Sequence, residues 1–269
     1  MQTVTSADGT TIAYDRYGEG PGLILVNGAM SYRKFKKFEQ IATALSDRFT
    51  VVNYDRRGRG DSGPAGPVSV QHEVDDIAAL IEAIGGRASL WGWSSGAALA
   101  LRAAAAGIGV ERLVVYETPF KTDPSAKHPA DDYAARLEQI LATGDRMAAA
   151  KHFLRNVGVP GPLVPVLAVT PMFRRFAQNA HTLMFDYAAL GDRNMHGRPL
   201  DAAEWAGVTC PTLVAYGAKT APALKHASRS LAEVLPDATL RELPGQNHNV
   251  SAKAIVPLLA EFLGPEARG

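Results

Sequence analysis

The sequence has very little cysteine and no long apolar run. Cys210 is the single cysteine among 269 residues, so the chain cannot form an internal disulfide. No stretch approaches the ~20 apolar residues that a membrane-spanning helix needs. Residues 1–6 also lack the basic and then apolar layout of a secretory signal peptide. We therefore expect a cytoplasmic protein that has no membrane as a partner.

An excess of charge of one sign is also missing. The chain has 28 Lys and Arg against 27 Asp and Glu, a formal net charge of +1. This balance gives no electrostatic reason to expect nucleic acid as a partner. The sequence has neither a Cys and His cluster with zinc spacing nor the glycine fingerprint of a phosphate or dinucleotide site. We expect no metal ion, no cofactor and no nucleic-acid partner, and the oligomeric state stays open.

Short apolar runs alternate with helical patterns along most of the chain. Eight runs predict strands, at residues 3–5, 11–14, 23–26, 50–54, 89–93, 113–116, 212–216 and 239–243. Five helical patterns lie between them, at residues 35–45, 70–84, 97–106, 221–235 and 254–263. Unbroken apolar runs of this length are typical of strands covered on both faces. The alternation predicts an α/β fold with a doubly wound, mostly parallel eight-stranded sheet and helices on both faces.

One long segment interrupts the alternation. Residues 121–209 contain helical patterns at 133–141, 146–156 and 173–190, with several prolines in between. A segment of this length is too long for a plain connection between two strands and should be structured. We interpret it as a helical lid, inserted into a single domain whose core comprises residues 1–120 and 210–269.

A serine stands in the middle of a glycine-bounded turn. Residues 92–96 (Gly-Trp-Ser-Ser-Gly) lie between a predicted strand and a predicted helix of small residues. Glycines at both ends let the backbone turn sharply, so that the hydroxyl of Ser94 projects above the sheet. The backbone N–H of Ser95 then lies at a helix N-terminus, which stabilises a developing negative charge. The pattern indicates that Ser94 is a nucleophile.

Four further segments strengthen this interpretation. Residues 27–29 (Asn-Gly-Ala) are similar to a His-Gly oxyanion turn, with Asn in place of His, and residues 55–62 match the loop D-x-R-G-x-G-x-S. Residues 211–214 (Pro-Thr-Leu-Val) match a usual lead into a late strand, and residues 245–248 (Gly-Gln-Asn-His) match a glycine-to-histidine loop near the C-terminus. With these segments the chain resembles the α/β-hydrolase superfamily over almost its whole length.

The resemblance implies roles for particular residues. His248 would be the general base, since a serine hydroxyl near neutral pH needs a base within hydrogen-bond reach to remove its proton. The backbone N–H groups of Ala29 and Ser95 would form the oxyanion hole. Because that hole uses main-chain groups, Asn27 in place of His changes how the loop is held and leaves the donors intact.

The acid of the triad departs from the usual pattern. The family usually carries Asp a few residues beyond the strand at 212–216, and here Thr220 occupies that place. A threonine has no negative charge with which to orient an imidazolium. Some members instead carry the acid at the end of the preceding strand, where this chain has Glu117. We expect Glu117 to be the acid. The alternative is a structural role, in which Glu117 pairs with an arginine or caps the turn, and Asp192 in the lid is a weaker candidate.

The arginine-rich loop at residues 56–59 has two possible interpretations. It resembles a phosphate or nucleic-acid contact, but its position in the family pattern favours a structural turn in which Asp55 and Arg57 tie the backbone. The lid is rich in apolar side chains, and we expect most of them to pack onto the core. We expect others to line a substrate pocket above Ser94 together with Trp93, Met30 and Asn27.

Such a pocket favours a small, hydrophobic, uncharged substrate, and an ester, thioester or lactone fits it better than a peptide. The first functional hypothesis is therefore a serine esterase that works through an acyl-enzyme. A second keeps the fold but changes the reaction to C–C bond hydrolysis, a lyase step or a cyclisation. The third is a non-catalytic ligand-binding protein.

Overall fold

An eight-stranded sheet runs through the centre of the protein. The computed structural model describes residues 1–264, and its strands are β1 (Gln2–Thr5), β2 (Thr11–Tyr17), β3 (Gly22–Val26), β4 (Thr50–Tyr54), β5 (Ala88–Trp93), β6 (Val110–Tyr116), β7 (Thr212–Gly217) and β8 (Ala238–Leu243). The strand order is β1-β2-β4-β3-β5-β6-β7-β8. The pairs β1/β2 and β2/β4 are antiparallel, and the other five pairs are parallel. The predicted fold class is confirmed.

Helices follow the strands and cover both faces. They are α1 (Lys36–Leu45), α2 (Val70–Ala83), α3 (Ser95–Ala105), α4 (Tyr133–Ala142), α5 (Arg146–Asn156), α6 (Leu163–Ala168), α7 (Pro171–Ala177), α8 (Leu183–Leu190), α9 (Ala202–Trp205), α10 (Pro222–Val234) and α11 (Ala252–Leu263). Within residues 1–264, none of these helices is long and apolar enough to cross a bilayer. Side chains alternate along the strands, so Leu23 packs towards α1 and α11 whereas Ile24 packs towards α2, α3 and α10.

Two strands are three residues longer than the apolar runs that predict them. The strand β2 continues to Tyr17, because Asp15 and Arg16 pair in register with Asn53 and Val52 of β4. These polar residues end the apolar pattern without ending the backbone ladder. The strand β6 likewise begins at Val110, three residues before its apolar part.

The segment between β6 and β7 is helical, but its helices differ from the expected ones. The predicted helix at 173–190 is divided into α7 and α8, with a short 3-10 turn at Ala180–Thr182 between them. The short helix α6 was not expected, since prolines interrupt its pattern. Pro165 is accommodated because it lies in the first turn, where a backbone N–H has no intrahelical acceptor.

This segment packs in two parts. Helices α4 to α7 form a separate hydrophobic cluster that includes Ala29 and Met30, so they lie over the loop that follows β3. Helix α8 joins the two parts, because Leu183 at its start belongs to this cluster whereas Ala189 and Leu190 at its end belong to the main core cluster with residues of α3. The division of the chain into a core and a lid at residues 121–209 stays a prediction.

The expected burial of the lid's apolar side chains is only partly correct. Val164, Phe173, Leu183 and Phe185 are buried. Five others are exposed, with relative accessibilities from 36% to 69%: Leu163, Val166, Leu167, Val169 and Met172. The reason is geometric, because α6 and α7 are only six and seven residues long and each buries a single face against α5.

Candidate active site

Ser94 lies on a sharp turn between β5 and α3. Its backbone has φ 59° and ψ −129°, a conformation that non-glycine residues rarely adopt. The glycines on either side allow the close packing around it. A Cβ on Gly92 would lie 2.5 Å from the Cα of Ala97, and one on Gly96 would lie 2.2 Å from the carbonyl oxygen of Val26. Only glycine fits at both positions, so the sequence motif is a packing requirement of this turn.

His248 contacts the Ser94 hydroxyl across the sheet edge. Its Nε2 lies 3.1 Å from Oγ of Ser94. The histidine is on the loop between β8 and α11, and the indole Nε1 of Trp93 donates a 2.8 Å hydrogen bond to its carbonyl oxygen. The Trp93 and His248 rings are 5.5 Å apart, centroid to centroid. The His248 side chain is 40% exposed, so solvent reaches the imidazole.

Glu117 contacts the other side of the imidazole. It follows β6 directly with φ 50°, is fully buried, and its Oε2 lies 2.8 Å from Nδ1 of His248. An ionised carboxylate only accepts hydrogen bonds, so Nδ1 carries the proton and Nε2 is left to accept from Ser94. Two further donors stabilise the buried carboxylate: the backbone N–H of Gly217 at 2.8 Å and the hydroxyl of Thr220 at 2.9 Å.

The other acid considered from sequence lies elsewhere. The carboxylate of Asp192 is 73% exposed and accepts a 2.6 Å hydrogen bond from the hydroxyl of Tyr187, and it lies 3.2 Å from Nε2 of His196. Among the described residues, no contact joins Asp192 to His248. The alternative acid from sequence analysis is therefore not in the site.

The two backbone groups expected to form an oxyanion hole lie on either side of the turn. Ser95 is the first residue of α3, so its N–H has no intrahelical acceptor. Within residues 1–264, the N–H of Ala29 also has no acceptor. Gly28 lets the loop after β3 approach the serine turn closely, since a Cβ at this position would lie 3.1 Å from Cβ of Ser94. The structure thus places the loop that carries Ala29 against the turn that carries Ser94 and Ser95.

The three residues expected to contact substrate lie in different surroundings. Asn27 is fully buried, and its Nδ2 donates to the carbonyl oxygen of Tyr54 at 3.3 Å and to Oδ1 of Asn53 at 3.4 Å. The amide of Asn27 is thus held against β4, and its role as a substrate contact stays a prediction. Met30 is also fully buried and has φ 56°, within the cluster under α4 to α7. Trp93 is half-buried beside His248, and its role as a substrate contact stays a prediction.

The arginine-rich loop after β4 is tied into the protein by ion pairs. Arg57 donates two hydrogen bonds to Asp76, at 2.8 and 2.6 Å, and one to Asp8 at 2.8 Å. Asp55 accepts from the backbone N–H groups of Arg33 and Asp61. The charged side chains of this loop are thus paired within the protein, and the loop has the structural role that the sequence indicates.

The arrangement as a whole has a defined chemical capacity. A hydroxyl, an imidazole and a buried carboxylate form one hydrogen-bonded chain, and the backbone N–H groups of Ala29 and Ser95 are unpaired in the adjoining segments. In such a chain the imidazole removes the hydroxyl proton, and the carboxylate stabilises the imidazolium that forms. No group of three or more His, Cys, Asp or Glu side chains in residues 1–264 is arranged to hold a metal ion.

A known protein family matches this chain. Residues 23–257 match the model of the alpha/beta hydrolase family, which is most of the chain. The chain belongs to the α/β-hydrolase family. The hydrolase is 42% identical to an alpha/beta hydrolase from Sphaerobacter thermophilus, whose crystal structure superposes with a TM-score of 0.89 over 97% of this chain and 99% of that one. The protein is accordingly a hydrolase enzyme.

Two further comparisons cover nearly the whole hydrolase. It is 29% identical to the pimeloyl-[acyl-carrier protein] methyl ester esterase of Chromobacterium violaceum, over 86% of this chain and 88% of that protein. The crystal structure of the enol-lactonase from Burkholderia xenovorans has 21% identity and a TM-score of 0.67, and covers 97% of this chain and 99% of that one. At this sequence identity the comparison shows only that the two proteins have the same fold.

Three residues of the hydrolase that contact the site were not assigned this role from sequence. Gly217 and Thr220 hold the carboxylate of Glu117, although neither residue carries charge. The signal available for Thr220 was its position in place of the usual acid. Asp186 was also missed, and its signal was a single acid within the apolar helix α8.

Proposed function

We propose that this hydrolase is a serine carboxylic ester hydrolase that works through an acyl-enzyme. The observation that carries the proposal is the hydrogen-bonded chain from Ser94 through His248 to Glu117. In this proposal Ser94 is the nucleophile, His248 the general base and then the general acid, and Glu117 the residue that orients and stabilises the imidazolium.

The reaction has two halves. Nε2 of His248 takes the proton of Ser94 as Oγ attacks the substrate carbonyl, and the resulting oxyanion accepts hydrogen bonds from the N–H groups of Ala29 and Ser95. Each such donor contributes about 3 kcal/mol to the stability of the transition state. His248 then protonates the leaving group. In the second half it activates a water molecule that cleaves the acyl-enzyme and returns the proton to Ser94.

We propose a small, hydrophobic, uncharged ester, thioester or lactone as the substrate. The apolar cluster of α4 to α7 that covers Ala29 and Met30 supports this class, since it supplies an apolar roof next to the two N–H donors. The full-length similarity to a methyl ester esterase also favours an ester among the three bonds. A peptide fits such an apolar pocket less well, because its backbone is polar.

The test is a panel of p-nitrophenyl esters from acetate to octanoate, a matched thioester and a small lactone, with kcat/KM measured for wild type and Ser94→Ala. We expect turnover of at least one class and a loss of at least about 10³-fold in the variant. Thermal unfolding checks that Ser94→Ala is folded. The proposal is overturned if folded wild type turns over none of these compounds, or if Ser94→Ala matches it. Turnover of a β-diketone alone would select C–C bond hydrolysis instead.

A further inference from the structure

A buried carboxylate lies directly behind the serine turn. Asp186 is on α8, between apolar residues, and is only 3% exposed. It accepts a 2.8 Å hydrogen bond from the hydroxyl of Ser95, the residue whose backbone N–H faces the candidate oxyanion hole. It also accepts from guanidinium groups of Arg56 at 2.6 Å and of Arg59 at 2.7 Å.

The same two arginines hold the other half of the hole. Arg59 donates to the carbonyl oxygens of Gly28 at 2.8 Å and Ser31 at 3.3 Å. Arg56 donates to the carbonyl oxygen of Asn27 at 3.2 Å. The Asn27–Ser31 loop includes the N–H of Ala29. The carboxylate of Asp186 therefore connects the two backbone segments that carry the donors. It contacts Ser95 through one hydrogen bond, and it contacts the Asn27–Ser31 loop through the two guanidinium groups.

The charges of this cluster are balanced. Glu73 accepts two 2.7 Å hydrogen bonds from Arg56, so two arginines face two carboxylates. Burial alone would raise the pKa of Asp186, but the guanidinium groups of Arg59 and Arg56 outweigh it and hold that pKa below its usual range. A fully paired buried cluster of this kind fixes the geometry of its members, because any displacement leaves a charge without a partner.

We propose that Asp186 is a positioning residue for the oxyanion hole, acting on Ser95 directly and on the Asn27–Ser31 loop through Arg56 and Arg59. This inference rests on the proposed function, since it assigns a task within the same site. Oxyanion donors stabilise the transition state only when they lie within a few tenths of an ångström of the right place. Asp186 holds that place from outside the catalytic residues.

A purely electrostatic role of Asp186 would have the opposite effect on the reaction rate. The negative charge of Asp186 opposes the negative charge that develops on the substrate oxygen. Removal of that charge would therefore speed the reaction if electrostatics dominated, whereas it slows the reaction if positioning dominates. The two substitutions Ser95→Ala and Asp186→Asn separate these effects, because the first removes the hydrogen bond and keeps every charge.

The experiment measures kcat and KM for wild type, Ser95→Ala, Asp186→Asn and the control Asp192→Asn, on the best ester of the panel. Active-site titration with a fluorophosphonate gives the concentration of competent enzyme, so a loss of folded protein does not count as a loss of kcat. A boronic acid, which forms a tetrahedral adduct with a serine, reports the quality of the oxyanion hole separately. Asp192→Asn is the matched control, since it is an exposed acid that follows the same helix.

We expect kcat per competent site to fall about 10-fold in Ser95→Ala and about 100-fold in Asp186→Asn, with KM within about twofold of wild type. The boronic acid should bind more weakly by similar factors, and the control should match wild type. The inference is overturned if Ser95→Ala has the same kcat and the same boronic-acid affinity as wild type, even if Asp186→Asn fails to fold. Faster turnover in Asp186→Asn also overturns it. An inactive wild type overturns the proposed function, and this inference with it.

Discussion

The hydroxyl of Thr220 donates a 2.9 Å hydrogen bond to Oε2 of Glu117. The same oxygen lies 2.8 Å from Nδ1 of His248. Thr220 stands where the resemblance to the family predicts an acid, and Glu117 stands at the end of the neighbouring strand. The site therefore has the carboxylate at the end of one strand and a neutral donor beyond the next, and the donor holds the carboxylate oxygen that contacts the imidazole.

Glu117→Gln should nearly abolish activity while the protein stays folded. The amide keeps the shape of the side chain but carries no negative charge to stabilise an imidazolium, and it favours the wrong tautomer of His248. We expect kcat/KM to fall by about 10³- to 10⁴-fold. Steady-state kinetics together with thermal unfolding measure this, with Asp192→Asn as the control. A loss of less than about tenfold in folded protein contradicts the role of Glu117.

Transfer of the acid to the neighbouring strand should restore part of that activity. In Glu117→Ala/Thr220→Asp the carboxylate is on residue 220. The Thr220 side chain already reaches Oε2 of Glu117, so an aspartate there can approach Nδ1 of His248. We expect the double variant to be at least about tenfold more active than Glu117→Ala alone. The comparison requires only kcat/KM of the two variants. Equal activity would mean that the geometry beyond β7 does not admit an acid.

Gly96→Ala should destabilise the protein strongly. The added Cβ would lie 2.2 Å from the carbonyl oxygen of Val26, which belongs to the central strand β3 and has no room to move. Overpacking of this kind costs about 1–3 kcal/mol or more of the free energy of unfolding. Urea unfolding measures it. Gly161→Ala is the control, since a Cβ there meets no atom within 4 Å, and similar midpoints for both variants would contradict the packing argument.

Lys37 should make the stability depend on pH in the alkaline range. Its ammonium lies 4.3 Å from the centroid of the Trp93 ring and donates to the side chain of Asn249, and burial lowers its pKa from 10.5 to about 8. Between these two values the unfolded chain binds a proton that the folded protein does not. The free energy of unfolding contributed by Lys37 therefore rises from pH 8 to about pH 10.5.

The measurement compares unfolding midpoints of wild type and Lys37→Met at intervals from pH 7 to pH 10. Wild type should gain stability relative to the variant as the pH rises through this window. Lys36→Met provides the control, because Lys36 is the exposed neighbour on the same helix. Parallel curves for wild type and Lys37→Met would show that the lysine does not titrate there.

Local patterns predicted most of the fold and the serine turn. Apolar runs and helical spacing indicate whether a segment is buried on one face or two. This suffices to predict the succession of strands and helices along the chain. The glycines at 92 and 96 reflect close backbone packing, of Gly92 against Ala97 and of Gly96 against Val26. The catalytic roles of Ser94, His248 and Glu117, the cytoplasmic location and the absence of a nucleic-acid partner stay predictions.

Contacts between distant segments could not be predicted in the same way. The side chain of Asn27 finds its acceptors on β4, 26 and 27 residues along the chain, so its direction is not visible in its own turn. Asp186 meets Arg56 across 130 residues. Short helices such as α6 are apolar on a face that remains in solvent, because composition alone does not record which face is covered.

The most direct test of the account is mass spectrometry of the protein after reaction with a fluorophosphonate. The account predicts one added phosphonate, mapped to the peptide that contains Ser94 and confined to that residue. Labelling should be lost in Ser94→Ala and strongly slowed in His248→Ala, because the imidazole is needed to remove the proton of the hydroxyl. Folded wild-type protein that acquires no label, or a label on any other residue, would contradict the account.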